Sequence, residues 1–79
     1  MDIEEIRNKV KDYATEAVKC DKLEEYEKAY DLYLKAVDGL ELLIIEDQNP
    51  HSIKIYIEKI KDYVLRSKDI KEKKLTKKD

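Results

Sequence analysis

The chain has 79 residues, enough for one small domain with a modest core. Charged residues make up 46% of it, but the net charge is only −2, and a single cysteine and a single histidine exclude an intramolecular disulfide and a zinc site built from His and Cys ligands. The unpaired cysteine, and the lack of an apolar run near the ~20 residues of a membrane span, predict a cytoplasmic protein that meets membranes only indirectly.

The first predicted helix spans about residues 2–20. Its apolar side chains recur every three or four positions, the spacing that gives a helix one buried face. Charged side chains occupy most positions between them, so the opposite face is expected to lie in water. A tight turn should follow, with Asp21 as a side-chain cap. The apolar positions are Ile3, Ile6, Val10, Tyr13, Ala17 and Cys20, widened by Ala14 and Val18.

The second predicted helix spans about residues 23–46 and is apolar on several sides. A helix of that kind usually lies between two neighbours, so we expect it to be the central one. Gly39 lies inside it, where glycine costs about 1 kcal/mol relative to alanine, and this position predicts a close helix crossing or an exposed backbone contact. The main apolar stripe is Tyr26, Ala29, Tyr30, Tyr33, Ala36, Val37, Leu40, Leu43 and Ile44.

The third predicted helix spans about residues 50–73. Asn49 suits the position that caps a helix, and Pro50 suits the first helical turn, where its missing N–H is harmless. Short connections make consecutive helices antiparallel neighbours, so the sequence predicts an all-α, up-down-up three-helix bundle. The stripe of the third helix is Ile53, Tyr56, Ile57, Ile60, Tyr63, Val64, Ser67 and Ile70.

The end of the chain differs in charge from the rest. Residues 66–79 hold seven basic and three acidic side chains, whereas residues 1–65 are acidic overall. A basic tail can bind nucleic acid or anionic lipid. Residues 73–79, however, contain no aromatic side chain and no arginine that could stack on bases. We therefore interpret this segment as a basic linker and expect no nucleic-acid partner.

The sequence offers little for catalysis. No Ser/His/Asp set, glycine-rich phosphate loop or second histidine is present, so we expect no enzyme activity, no metal and no cofactor. The helices do carry small residues where larger ones would fill a core. These either leave a groove for a further segment or only let the three helices pack closely, and their spacing alone leaves both open. The small residues are Ala14, Ala17, Ala29, Ala36 and Ser67.

Two stretches carry a more specific pattern. The first consists of Asp21, Tyr26-Glu27-Lys28-Ala29, Leu32-Tyr33 and Ala36-Val37; the second consists of Lys59, Tyr63-Val64, Arg66, Ile70 and Lys71. Together with Ile6, Thr15 and Ala17 they resemble the MIT (microtubule-interacting and trafficking) domain family over about residues 3–71. The resemblance implies a domain of residues 1–72 whose three antiparallel helices pack like one and a half tetratricopeptide repeats. It also implies a monomeric adaptor without catalytic activity.

The resemblance further implies partners. MIT domains are adaptors, notably of AAA ATPases that disassemble ESCRT-III polymers, and they bind C-terminal peptide motifs of ESCRT-III subunits. This domain would then recruit a parent AAA ATPase to ESCRT-III-like proteins in membrane remodelling or cell division. The Lys-rich composition favours an archaeal cell-division ATPase as the parent enzyme.

Family ligands dock in two grooves, and both carry over by position. An extended, proline-containing peptide binds between the first and third helices, and a helical peptide binds between the second and third. The positions of the first groove are Val10, Ala14, Ala17, Tyr56, Tyr63 and Ile70. The positions of the second groove are Tyr33, Val37, Leu40, Ile57, Ile60, Val64, Ser67 and Lys71.

One departure from the family favours the first groove. Arg66-Ser67-Lys68 stands where the family has Arg-Ala-Glu, so Lys68 replaces an acid that pairs with an arginine of the helical ligand.

Two other classes of protein stay open as interpretations of the sequence. One is a tetratricopeptide-like module, although no second copy of its ~34-residue period is visible. The other is a structural coiled coil, against which Pro50 and the apolar breadth of the second helix argue.

Overall fold

The structure, a computed structural model, describes residues 2–75. Within them the chain forms α1 (Ile3–Lys22), α2 (Tyr26–Glu46) and α3 (Pro50–Ile70), followed by a π-helical turn, Lys71–Leu75. The helices fold back on one another as an antiparallel bundle, unlike the single rod of a coiled coil. The prediction of an all-α three-helix bundle is confirmed.

The helix bounds differ from the predicted 2–20, 23–46 and 50–73. α1 runs to Lys22, α2 begins only at Tyr26, and the π-helical turn replaces the last residues expected in the third helix. This turn still packs on the bundle, because Leu75 contacts the core and the Lys74 ammonium lies 5.3 Å from the centre of the Tyr26 ring. Of the expected linker 73–79, residues 76–79 lie outside the described residues, as does Met1.

Backbone hydrogen bonds fix the conformation of the turn between α1 and α2. The Glu25 N–H donates to the Cys20 carbonyl at 2.8 Å, and the Glu24 N–H donates to the Asp21 carbonyl at 3.1 Å. This pair of bonds is a Schellman motif, which needs a residue in the left-handed region, and Glu24 adopts φ 62° there. The prediction that Asp21 caps this turn is wrong, because Asp21 lies within α1 and its side chain points to α2 and α3.

The connection between α2 and α3 follows local sequence signals. The Asn49 side chain accepts from the His51 N–H at 3.0 Å, and Pro50 takes the first helical position. The predicted cap and start of α3 are therefore confirmed. Just before them, the Asp47 carboxylate accepts from the Asn49 N–H at 3.1 Å, which orders the short link.

The core lies along α2, which packs against both other helices. Among the described residues, no Cα of α1 lies within 8 Å of a Cα of α3. Tyr63 packs against both buried clusters and joins them. The first cluster consists of Ile6, Val10, Ala36, Leu40, Leu43 and Tyr56. The second consists of Ala17, Cys20, Ala29, Tyr33 and Ile70.

Gly39 allows α1 and α2 to approach closely. A Cβ atom built at this position would lie 2.5 Å from Cγ2 of Val10, far inside van der Waals contact. The close crossing expected from the only glycine is therefore confirmed. It lies between α1 and α2.

Candidate functional site

A cleft lies between α1 and α3, because the two helices flank α2 without close backbone contact. Its volume is about 480 Å³, within the range of ligand-binding clefts. Leu40 and Leu43 of α2 contribute to its floor and are each only 1% exposed. The lining residues are Arg7, Val10, Lys11, Ala14, Thr15, Leu40, Leu43, Tyr56, Lys59 and Tyr63.

Small side chains on α1 keep this cleft open. Ala14 and Thr15 form the end of the α1 wall that lies toward the second buried cluster. A leucine or larger residue at position 14 would place its side chain in the space that is now empty. Small side chains at this helical turn therefore help to keep open the cleft that the separation of α1 from α3 creates.

The structure brings together four of the six residues expected in the first groove. Val10, Ala14, Tyr56 and Tyr63 line the cleft. Ala17 and Ile70 do not, since they are 0% and 1% exposed within the second buried cluster. That cluster closes the groove toward the end of α1.

The residues expected in the second groove, between α2 and α3, divide into two sets. Tyr33, Val37 and Leu40 of the α2 wall are buried, and the Tyr33 ring lies 5.8 Å from the Tyr63 ring, centre to centre. Their side chains thus already pack against this molecule's own helices. The α3 side is more open: Ile57 and Val64 are each 41% exposed. The remaining positions are the half-buried Ile60, the exposed Lys71, and the buried Ser67, whose hydroxyl donates to the Val64 carbonyl.

A polar cluster closes the cleft at the start of α1, and we call it the Arg7 clamp. The Arg7 guanidinium donates to the Tyr56 hydroxyl and to the Asp47 carboxylate, both at 3.0 Å. The Tyr56 hydroxyl donates to the same carboxylate at 2.8 Å. Hydrogen bonds from Tyr56 and from the Asn49 N–H hold the pKa of Asp47 below its usual value. Side chains from α1, α3 and the end of α2 therefore meet at one point.

A second polar cluster, the Asp21 clamp, lies at the other end. The Asp21 carboxylate accepts two hydrogen bonds from Arg66, at 2.6 and 2.7 Å, and one from the Tyr33 hydroxyl at 3.1 Å. The hydrogen bonds from Arg66 are the main reason that the pKa of Asp21 lies below its usual value. Burial, with the bond to Asp21, raises the pKa of Tyr33 to about 12. Each clamp thus contains one Arg, one Asp and one Tyr. In each clamp, one of the three residues belongs to α1, one to α2 or its C-terminal end, and one to α3.

Among the described residues, the charged side chains that line the cleft are basic: Arg7, Lys11 and Lys59. Arg7 is engaged in its clamp and also pairs with Glu4. Within residues 2–75, neither Lys11 nor Lys59 forms an ion pair. Sequence reasoning assigned neither lysine to a groove, although Lys59 belongs to the family pattern, because a search for apolar periodicity passes over charged positions. Their helical spacing from Ala14 and Tyr63 is the signal that could have found them.

A smaller recess of about 300 Å³ lies on the opposite side of α1, against α2. Gly39 is among its lining residues, together with Val10, which packs over it. The Lys35 ammonium at its edge lies 5.9 Å from the centre of the Tyr13 ring. Elsewhere on the surface, Leu65 of α3 is 66% exposed and contacts neither cluster.

Among the described residues, no helix has both the length and the apolar character needed to cross a bilayer. Comparison with known families gives one result: the model of the MIT (microtubule interacting and transport) domain matches residues 8–72. This range includes α2, α3 and every residue that lines the cleft except Arg7. No curated protein and no solved structure matches the chain significantly.

Proposed function

The chain belongs to the MIT domain family, and from this premise we propose that it recruits a parent AAA ATPase to C-terminal peptide motifs of ESCRT-III-like proteins. MIT domains are non-catalytic interaction modules that bind peptide motifs of partner proteins. The ATPase, the ESCRT-III-like partner, a role in membrane remodelling or cell division, an archaeal source and a cytoplasmic location all belong to the proposal.

The observation that carries the proposal is the open cleft between α1 and α3. Its floor is apolar, and its backbone groups are already paired within helices, so a ligand would bind mainly through side-chain packing. Apolar side chains such as Leu, Val and Pro suit a floor made by Leu40 and Leu43. This chemistry matches the extended, proline-containing ligands that MIT domains take in this groove.

The extent of the open cleft sets the length of peptide that fits. Its α1 wall runs from Arg7 to Thr15, about 12 Å at about 1.5 Å per helical residue. An extended peptide advances about 3.3 Å per residue, so about four residues cover this distance. We therefore propose that a short extended segment lies between the Arg7 clamp and the second buried cluster, which closes the groove before Asp21.

The groove between α2 and α3 is the second candidate. The exposed Ile57 and Val64 favour it, since apolar side chains there face water. Two features weigh against it as the main site: its α2 wall is packed into the core, and Lys68 would repel a basic side chain of a helical ligand. We place the principal ligand in the cleft between α1 and α3.

The proposal also covers the arrangement of the chain. Residues 1–72 form the ligand-binding domain, and residues 73–79 begin the connection to the ATPase. Lys74 and Leu75 still contact the domain, so the first part of that connection would run along the surface of α2.

Two matched variants test the choice of groove. Ala14→Asp places a charge in the cleft between α1 and α3, and Val64→Asp places one in the groove between α2 and α3. With a C-terminal peptide of an ESCRT-III-like protein, we expect Ala14→Asp to weaken binding at least ~10-fold in calorimetry, because the new carboxylate would occupy the cleft and lose its water when an apolar peptide packs against it. We expect Val64→Asp to change the affinity less than ~2-fold.

Both substituted positions are at least partly exposed, so circular dichroism should show unchanged helicity in both variants. Loss of binding in Val64→Asp alone would move the ligand to the other groove. Unchanged affinity in both variants would contradict peptide binding in either groove.

A further inference from the structure

The lining of the cleft between α1 and α3 carries charge of one sign. The chain holds 19 acidic residues and has a net charge of −2, yet none of the acidic side chains within residues 2–75 lines this cleft. Its basic residues come from both walls, Lys11 from α1 and Lys59 from α3. A surface of this kind attracts anionic groups even though the molecule as a whole is slightly acidic.

We propose that this cleft selects peptides that carry carboxylate side chains next to their apolar residues, with Lys11 and Lys59 as the pair that binds them. This inference rests on the proposed function, since it names the chemistry of the peptide that the cleft takes. Lys11 and Lys59 determine specificity, whereas the apolar floor provides the contact area.

The two lysines are suited to this role because their charges are not used within the described part of the chain. Both arginines of the domain, by contrast, are bound to aspartates in the two clamps. A lysine ammonium is a compact charge on a flexible stem, so it can follow a carboxylate whose position varies between ligands. A pair of lysines from opposite walls therefore fits an acidic residue near the middle of an extended peptide.

Charge also decides between candidate occupants. The chain's own residues 73–79 contain four lysines and one aspartate, so they would be repelled by Lys11 and Lys59. A second copy of the domain would bring helices, because the described residues contain no extended segment longer than the short link at 47–49. Nucleic acid does not suit a floor of leucines that offers no hydrogen bonds. The occupant that remains is an acidic, apolar peptide of a partner protein.

A pair of peptides tests the inference. The first is a C-terminal peptide of an ESCRT-III-like protein with glutamates among its apolar residues, and the second is the same peptide with each glutamate replaced by glutamine. We expect the glutamate peptide to bind the unaltered domain about 5- to 10-fold more tightly at low salt, a difference typical of one or two exposed ion pairs. The difference should shrink at high salt.

The lysines are tested by the double variant Lys11→Ala/Lys59→Ala, with Lys61→Ala as the matched control. Lys61 is an exposed lysine of α3 that does not line the cleft. We expect the double variant to bind both peptides with similar affinity, and the control to keep the preference for glutamate. A single-stranded oligonucleotide serves as a third probe and should bind more weakly than the glutamate peptide.

Three results would overturn the inference: equal binding of the two peptides by the unaltered domain, an unchanged preference in the double variant, or tighter binding of the oligonucleotide. Equal binding would leave the proposed function standing. Failure of both peptides to bind at all would instead contradict the proposed function.

Discussion

α1 contacts its two neighbours in opposite ways. Against α2 it packs at short range, with Val10 over Gly39 and with Ala17, Ala29 and Ala36 fully buried. Toward α3, no pair of Cα atoms comes within 8 Å in residues 2–75, and the hydrogen-bonded links are the Arg7 and Asp21 clamps. The first interface is made of backbone proximity and apolar contact. The second is made by the polar clamps and by side chains of the two buried clusters, without close backbone approach.

Because of this difference, the α1–α2 interface contributes to stability, whereas the α1–α3 side remains available for binding. Small residues let α1 and α2 exclude water between them, which contributes apolar burial to the free energy of folding. The clamps hold α1 beside α3 at both ends, and the space between residues 7–15 of α1 and the facing part of α3 stays open. The domain can therefore keep an open cleft without leaving its two outer helices unattached.

The largest expected effect concerns the Asp21 clamp. Asp21→Ala removes three hydrogen bonds and leaves the buried Tyr33 hydroxyl and the charge of Arg66 without this partner. We expect the free energy of unfolding to fall by about 3 kcal/mol in urea titrations. Asp69→Ala is the matched control, because Asp69 also pairs with Arg66 but is more exposed. Its expected cost is at most about 1 kcal/mol.

The pH dependence of the free energy of unfolding of Asp21→Ala tests whether loss of the Asp21 carboxylate causes the destabilisation. The folded-state pKa of Asp21 is depressed, so its contribution is fully present above the unfolded-state pKa of about 4 and is lost as the pH falls through the folded value. The stability difference between the unaltered domain and Asp21→Ala should therefore narrow below pH ~4. Equal losses in Asp21→Ala and Asp69→Ala at neutral pH would contradict the assigned role of the clamp.

A smaller effect is expected at the α1–α2 interface. In Gly39→Ala, the new methyl group would press on Val10, and overpacking of about 2 kcal/mol would outweigh a gain of about 1 kcal/mol in helix propensity. We therefore expect a net loss of about 1 kcal/mol. In a Val10→Ala background the same substitution should become stabilising, since the methyl group then meets no side chain.

A double-mutant cycle on positions 10 and 39 measures this coupling by thermal or urea unfolding. The matching expectation for binding is that Gly39→Ala leaves peptide affinity within ~2-fold, because Gly39 does not line the cleft between α1 and α3. Additive effects of the two substitutions on stability would contradict the close approach of α1 to α2.

The helices and their order could be predicted from the sequence because their signals are local. Apolar periodicity marked the three helices, and Asn49-Pro50 marked the start of α3 correctly. The end of α1 could not be predicted in the same way. Its Schellman motif has Glu24 where glycine is the usual signal, and Asp21 was taken as a cap because its true partners are distant in sequence.

The site was predictable only in part for a related reason. The residues of the first groove were carried over by position from the family, and four of the six line the cleft. Apolar periodicity cannot tell a lining residue from one that is buried beyond it. Ala17 and Ile70 belong to the second kind. The arginines of the clamps bind residues 40 to 49 positions away, as in Arg7–Asp47 and Arg7–Tyr56, and spacing along one helix contains no information on such pairs.

The most direct test of an open, ligand-accepting cleft is a titration of the isotope-labelled domain with an ESCRT-III-like C-terminal peptide, followed by amide NMR shifts. The account predicts that the largest shifts occur at Ala14, Thr15, Lys59 and Tyr63, on both walls of the cleft between α1 and α3. Largest shifts at Ile57 and Val64, with the cleft residues unchanged, would contradict it.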